Sequence, residues 1–159
     1  MDALKLLTER YSEKKLSAPA PDKHQLTQMF QAALRSPDHG RLQPYRFIVI
    51  EQDKMTELSR LLKSAVHELN LGEERLKKAE NLATRAPMII GVVAKIDPNI
   101  KKVPEWEQLL CAGCATYAIQ LAANALGFKN VWVSGPWLDG SDLRQAFQCD
   151  TADKIIGFL

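Results

Sequence analysis

The stretch Ser36-Pro-Asp-His-Gly-Arg-Leu-Gln-Pro-Tyr-Arg-Phe-Ile-Val-Ile50 joins the end of a helix, a polar loop and an apolar strand without a break. Its two prolines disfavour the helical region for the residues before them, so the chain must cross from helix to strand as a stiff loop. Four side chains rich in hydrogen-bonding groups lie between the prolines: Asp38, His39, Arg41 and Gln43. This density predicts a ligand-binding loop, and a solvated surface loop is the alternative.

Length and composition predict a single domain over residues 1–159 in a reducing compartment. The 21 Lys and Arg residues nearly balance the 19 Asp and Glu residues and are mixed with them along the chain, which disfavours nucleic acid as a partner. Three cysteines are too few for a disulfide framework, and the first ten residues lack the features of a signal peptide, so we expect a cytoplasmic protein. The last apolar strand stops without a turn, and we expect a carboxyl-terminal tail beyond it.

Helical and strand patterns alternate along the chain. Asp2, Asp22 and Asp53 are each placed to cap a helix, and Gln25 completes a capping box with Asp22 in the second one, which should end at Arg35. The remaining predicted elements are an exposed helix over 72–83, strands over 47–51, 88–94, 131–133 and 154–159, and a helix ending at 147 that begins at Asp139 or Ser141. The apolar side of the first helix, Ala3, Leu4, Leu6 and Leu7, should face a core. This order predicts a three-layer fold of the α/β or α+β class with a mixed sheet.

The segment 108–128 contains no charged residue and is the longest predicted helix. Its polar residues Gln108, Gln120 and Asn124, together with many alanines, make it a poor membrane span. A helix that is apolar nearly all round must be covered on every side, and a chain of this size has too little material to do so alone. We therefore predict that a second subunit covers it.

Two other groups of residues could carry chemistry. Cys111-Ala-Gly-Cys114 has the form of a thiol redox motif, but it lies inside the apolar helix rather than at an exposed amino terminus. Arg10, Ser12 and the lysines at 14 and 15 could bind a phosphate monoester, or they could be the solvated end of a helix. The sequence contains neither a Gly-rich phosphate loop nor a Gly-x-Ser-x-Gly motif.

Taken in order, several motifs resemble the FMN-dependent nitroreductase family. They are Arg10-Tyr-Ser12 with Leu16, the loop 36–51, Arg85-Ala-Pro87, Lys102-Val-Pro-Glu-Trp-Glu-Gln108, Ala112-Gly-Cys-Ala115 and Lys154-Ile-Ile-Gly-Phe-Leu159. The resemblance extends over essentially the whole chain. It implies a nitroreductase-like α+β fold with three α/β/α layers and a mixed, mainly antiparallel sheet. In this fold two subunits intertwine as a homodimer with an FMN at each of two interface sites.

The resemblance also implies roles for particular residues. Arg10 and Ser12, with Tyr11 through its backbone, would bind FMN, and Arg35 and His39 would reach the flavin held mainly by the other subunit. Two further segments would contact the cofactors: Leu121, Ala122, Ala123, Asn124, Ala125 and Leu126 the nicotinamide nucleotide, and Val131, Trp132 and Val133 the flavin.

The implied activity is hydride transfer from NAD(P)H through FMN to a small flat acceptor, such as a nitroaromatic or a quinone, in a ping-pong reaction. No catalytic side chain and no metal are required, because the flavin carries the chemistry. Close relatives have arginines where this chain has Tyr11 and Val133, so two phosphate partners are lost. The alternatives are a non-catalytic flavin-binding dimer and, less favoured, a thiol redox protein that uses Cys111 and Cys114.

Overall fold

The structure, a computed structural model, describes residues 2–159 and centres on a three-stranded antiparallel sheet in the order β1-β2-β3. Single 3-10 turns occupy His39–Arg41, Gln52–Lys54 and Pro136–Asp139. The helices and strands are α1 (Ala3–Glu9), α2 (Lys23–Ala33), β1 (Tyr45–Ile50), α3 (Met55–Glu68), α4 (Glu73–Leu82), β2 (Ile89–Ala94), α5 (Glu105–Ala125), α6 (Ser141–Ala146) and β3 (Lys154–Phe158).

The side chains of the central strand β2 point alternately to the two faces of the sheet, and helices cover each face. Ile89 and Val93 pack with α3, α4 and α6, while Ile90 points to the opposite face and packs with α2 and α5. Every residue of β2 is buried, as its continuous apolar run requires for a strand covered on both faces. The predicted three-layer α+β fold is therefore confirmed. All strand pairs within residues 2–159 are antiparallel, so the sheet described is not mixed.

The capping box predicted for the second helix is present. The Asp22 carboxylate accepts the Gln25 N–H at 2.8 Å, and the Gln25 side-chain oxygen accepts the Asp22 N–H at 2.9 Å, which completes the capping box. The helix ends at Ala33, slightly before the predicted Arg35, since Leu34 already forms its carboxyl cap.

Three local predictions were wrong. Asp53 does not cap α3, because it lies inside a 3-10 turn and Lys54 occupies the position before the helix. The first helix faces no core of its own chain: none of its residues is buried, and Leu4 and Leu7 are 66% and 52% exposed. Residues 131–133 form no strand, because only Val133 pairs with Phe158 in an isolated bridge.

The long helix α5 has two apolar faces. One face packs on the sheet through buried residues that include Ala112, Ala115, Ile119 and Ala123. The other face carries exposed apolar side chains, among them Leu110 at 60% exposure. Within residues 2–159, no helix meets the length and apolarity that crossing a membrane would need.

Candidate cofactor site at the two ends of α5

The first group of predicted site residues gathers near the carboxyl-terminal half of α5. Arg10 directly follows α1, and its guanidinium lies over the ring of Tyr117, 5.8 Å from the centroid. The Nη2 atom donates to Ser12 Oγ at 3.3 Å, whereas the buried Nε has no hydrogen-bond partner among residues 2–159. A buried guanidinium N–H without a partner is costly and is complementary to an anionic oxygen.

Backbone pairing brings the two predicted FMN segments together. The Glu13 N–H donates to the Asn130 carbonyl at 3.0 Å, which places residues 10–13 beside residues 130–133. Lys129 Nζ lies 4.7 Å from the centroid of the Tyr11 ring, so this segment carries a cation beside Tyr11. Lys14 and Lys15 are both exposed next to this segment. We call the surface formed by residues 10–12 and 129–133 the phosphate half-site.

Trp132 is the fixed aromatic group of the phosphate half-site. Its indole N–H donates to the Ile156 carbonyl at 3.0 Å, and its ring is 37% exposed. Gly157 makes this position possible, because its φ is 148° and a Cβ there would overlap the indole and lie 2.7 Å from the Val133 carbonyl oxygen. Of the predicted neighbours, Val131 is buried and Val133 is half-buried in the bridge to β3.

The second group lies near the amino-terminal end of α5. His39 Nδ1 is 2.6 Å from Glu107 Oε2, in the first turns of the helix. Arg35 is exposed in the turn after α2, and the buried Ser36 Oγ has no hydrogen-bond partner in the described chain. We call the surface formed by Arg35, Ser36, His39 and Glu107 the histidine half-site.

The loop that carries His39 is held rigidly. One Asp38 carboxylate accepts both the Leu42 N–H at 3.0 Å and the Gln43 N–H at 2.7 Å. Gly40, Arg41 and Gln43 all have positive φ, a conformation that non-glycine residues adopt only when surrounding contacts hold it. The prediction of a stiff loop is confirmed, although the carboxylate and these backbone angles contribute as well as the prolines.

The two half-sites lie apart within one subunit. Glu107 and Tyr117 are ten residues apart on α5, which corresponds to about 15 Å along the helix axis at 1.5 Å per residue. Arg10 beside Tyr117 and His39 beside Glu107 therefore contact different parts of α5.

The predicted nicotinamide segment offers few polar groups. Residues 121–126 form the end of α5, where Ala123 is buried and the Asn124 amide donates to the Gln120 carbonyl of its own helix at 3.0 Å. Ala123 and Leu126 line a cavity of about 330 Å³ beside α2. Leu121, Ala122 and Ala125 add only apolar surface, so no charged side chain in this segment contributes to a nucleotide site.

The cysteine pair has the wrong setting for thiol chemistry. Cys111 is 5% exposed, and burial, followed by the nearby charges of Asp38 and Cys114, raises its pKa to about 11. At neutral pH the thiolate is therefore scarce, and the thiolate is the reactive species. All three cysteines are free, and within residues 2–159 no cluster of three His, Cys, Asp or Glu side chains could bind a metal.

Two important residues were not predicted from the sequence as members of the site. Glu107 contacts His39 across 68 positions, and Tyr117 lies beneath the Arg10 guanidinium. Helical spacing could have indicated Tyr117, which shares an α5 stripe with Trp106 and Leu110. No local signal indicates the partner of Glu107.

Comparison with solved structures defines the class of fold. The nitroreductase-like family protein from Bacillus cereus superposes with a TM-score of 0.84 at 19% identity, covering 99% of this chain and 83% of that one. A nitroreductase with bound FMN from Bacteroides fragilis gives a TM-score of 0.73 at 18% identity, over 98% of this chain and 84% of that one. The fold is thus nitroreductase-like.

Sequence similarity is more specific than the shared fold. The chain matches the Nitroreductase family over residues 7–159. It is 62% identical to the "Putative NAD(P)H nitroreductase" of Haemophilus influenzae and 44% identical to the "Putative NAD(P)H nitroreductase YdjA" of Escherichia coli K12. In both comparisons all 159 residues align and cover 86% of the relative. The chain belongs to the nitroreductase family, whose members are oxidoreductases, and the resemblance inferred from its motifs is confirmed.

Proposed function

We propose that the protein is an FMN-dependent oxidoreductase of the cytoplasm that transfers a hydride from NAD(P)H to a flat acceptor such as a nitroaromatic or a quinone. The observation that carries this proposal is the phosphate half-site, where a buried guanidinium N–H of Arg10 lacks a partner. Two close relatives are named as NAD(P)H nitroreductases, and two structures with the same fold contain FMN.

The residues present fit a flavin mononucleotide. Arg10 would bind the phosphate with its free N–H groups, Ser12 would add a hydroxyl, and Lys129 would add a second positive charge. Trp132 and the segment around it would border the ring system. Bound FMN would supply the hydride chemistry, for which the protein has no suitable group of its own.

A homodimer would complete the site. The exposed stripe of α5 repeats at helical spacing through Trp106, Leu110, Gly113 and Tyr117, and the three large side chains are 61%, 60% and 39% exposed. Apolar side chains of this size on one contiguous face indicate an interface. Packing the helix against a second copy by a twofold axis would bury the stripe on both subunits.

The twofold arrangement would also join the two half-sites. If two α5 helices cross antiparallel near Gly113, the end that carries Glu107 approaches the end of the partner helix that carries Tyr117. Each flavin would then lie between the phosphate half-site of one subunit and the histidine half-site of the other. Arg35 and His39 would thus act across the interface.

NAD(P)H and the acceptor would use the same open side of the site in turn, which is the basis for a ping-pong order. The segment 121–126 has little to offer the phosphates of a nicotinamide nucleotide, since its side chains are apolar apart from Asn124. We therefore expect the nicotinamide ring to be recognised at the flavin, with weak discrimination between NADH and NADPH.

A visible absorption spectrum tests the proposal. The purified protein, reconstituted with FMN, should be yellow, should lose the flavin band when NADH or NADPH is added without oxygen, and should regain it with a nitroaromatic or a quinone. A protein that does not bind FMN contradicts the proposal. Bound FMN that neither nucleotide reduces would instead indicate the non-catalytic flavin-binding dimer.

A further inference from the structure

His39 and Glu107 form an exclusive polar contact at the histidine half-site. The Nδ1 to Oε2 distance is 2.6 Å, and the side chains are 48% and 29% exposed. An ionised carboxylate can only accept a hydrogen bond, so the imidazole must carry a hydrogen on Nδ1. In the neutral ring, the lone pair is then on Nε2, the nitrogen that remains free to meet a ligand.

Both partners in this contact are anchored independently of each other. The Asp38 carboxylate holds the His39 loop, and a Cβ at Gly40 would be 3.3 Å from Val103, so the loop packs closely on the segment before α5. Gln108, which is 1% exposed, exchanges hydrogen bonds with Asp97 N–H and carbonyl at 2.8 and 2.9 Å. The start of α5 therefore presents Glu107 from a fixed support.

We propose that Glu107 is a positioning residue for flavin binding. It holds the His39 ring in one orientation with its hydrogen on Nδ1, so that Nε2 is presented as an acceptor. The complementary group on the cofactor is a donor, either the N–H of the flavin ring or a ribityl hydroxyl. This inference rests on the proposed function, because it assumes that His39 reaches the flavin of the partner subunit.

Nuclear magnetic resonance of the flavin-free protein tests the first half of the proposal. Long-range ¹H–¹⁵N spectra report which ring nitrogen carries hydrogen, and His39→Ala assigns the signal among the three histidines. Wild-type His39 should be in the Nδ1–H form, and Glu107→Ala should shift it toward a mixture of both forms. Glu105→Ala is the matched control, since Glu105 is exposed in the same first turn of α5.

Flavin affinity tests the second half. Glu107→Ala and His39→Ala should each weaken FMN binding about three- to tenfold, the range of one neutral hydrogen bond. The double variant should bind within about twofold of His39→Ala, because Glu107 acts only through the ring. Glu107→Gln keeps an accepting oxygen at nearly the same shape, so it should retain most of the affinity. Glu107→Leu keeps the bulk but accepts no hydrogen bond, so it should lose affinity as Glu107→Ala does, and it replaces Glu107→Ala if that variant folds poorly.

The outcomes separate this inference from the proposed function. If the wild-type protein binds no FMN, both the proposed function and the inference fail. This outcome is seen in the wild type alone, without any variant. If the wild type binds FMN but Glu107→Ala binds it equally well, only the inference is overturned. Additive losses in the double variant, or an unchanged ring tautomer in Glu107→Ala, would likewise overturn it.

Discussion

Arg10 is a half-buried cation at the phosphate half-site. Its Nε lacks a partner within residues 2–159 and its Nη2 reaches only Ser12. Replacing it with alanine should weaken FMN binding about 10- to 100-fold, as expected for a hydrogen bond to a charged group. Arg10→Lys should fall in between, because it keeps the charge but loses the planar fork.

Fluorescence quenching in an FMN titration measures this effect. Lys5→Ala is a suitable control, since Lys5 is a 63% exposed cation on α1, the helix that precedes Arg10, and it forms an ion pair with Glu9. Equal affinity of Arg10→Ala and the wild type would remove Arg10 from the site.

Asp153 should control stability rather than cofactor binding. Its carboxylate is 1% exposed and accepts from Lys95 Nζ at 2.5 Å and from the N–H groups of Asp150 and Ile96 at 2.9 and 3.1 Å. Removing the charge of a buried pair leaves Lys95 without its main partner. Asp153→Asn should lower the free energy of unfolding by about 3 kcal/mol, while the exposed Asp150→Asn should lower it by less than about 1 kcal/mol.

The direction in which the pKa of Asp153 is shifted determines how its contribution to stability depends on pH. Burial alone raises the pKa of Asp153, but the hydrogen bonds from Lys95, Asp150 and Ile96 outweigh burial and lower that pKa below 3.8. The stabilisation is therefore complete above about pH 4 and is lost as the pH falls through the folded-state value. Urea unfolding should give a smaller difference between wild type and Asp153→Asn at pH 3 than at pH 6.

Individual site residues were predictable where a motif or a local rule applied. The residues at 10–12 and the rigid 36–43 loop stand out in the sequence because of their order and their prolines. The Glu107 contact with His39 was not predictable, because it depends on tertiary packing across 68 positions. The same holds for the Tyr117 ring beneath Arg10.

At the scale of elements, β3 and the segment that follows Asn130 act together. Gly157 in β3 leaves room for the Trp132 indole, whose N–H donates to Ile156. Gly157→Ala should both strain the backbone and displace the indole, with a loss of stability of about 2 kcal/mol or more and weaker FMN binding. Gly72→Ala is the matched control, because Gly72 has φ 82° and no atom within 4 Å of an added Cβ.

Chemical unfolding and an FMN titration on both glycine variants separate the two effects. Gly72→Ala should show only the backbone cost of about 1 kcal/mol and normal FMN affinity. An equally small effect in Gly157→Ala would mean that the indole can move without consequence.

Elements were predicted best where one pattern dominated. The capping box of α2 and the all-apolar β2 are local signals, and both appear as expected. Residues 131–133 looked like a strand because valine and tryptophan favour strands, but in the described chain only Val133 bridges to β3, at Phe158, while the Trp132 side chain donates to the Ile156 carbonyl. Asp53 was predicted to cap α3, but it lies within the 3-10 turn Gln52–Lys54 and the helix begins after that turn.

At the scale of the whole molecule, the exposed face of α5 predicts the oligomeric state. Leu110→Glu would place a charge in the centre of the proposed interface and should convert the dimer to a monomer with little FMN affinity. Leu69→Glu is the control, since Leu69 is 36% exposed at the end of α3, on the opposite side of the sheet.

Sedimentation velocity distinguishes the two variants. Leu69→Glu should sediment as the wild-type dimer. A wild-type protein that is monomeric at micromolar concentration, or a Leu110→Glu protein that remains dimeric, would contradict the proposed assembly.

The three-layer arrangement was predictable from the order of helices and strands in the sequence. The need for a second subunit was inferred from a helix without charges, and the structure locates the uncovered face. The exposure of α1 was missed, because its apolar residues were assumed to face the core of the same chain. The seven residues of α1 contact α5, but none of them is buried.

If the proposed dimer forms, the two-faced α5 should make the stability of this protein sensitive to dilution. A single helix would form part of the interior of each subunit and also the join between them, so separating two copies would expose the back of the same helix that organises the sheet. Melting temperature should then rise with protein concentration, and a dilute sample should behave as if a mild denaturant had been added.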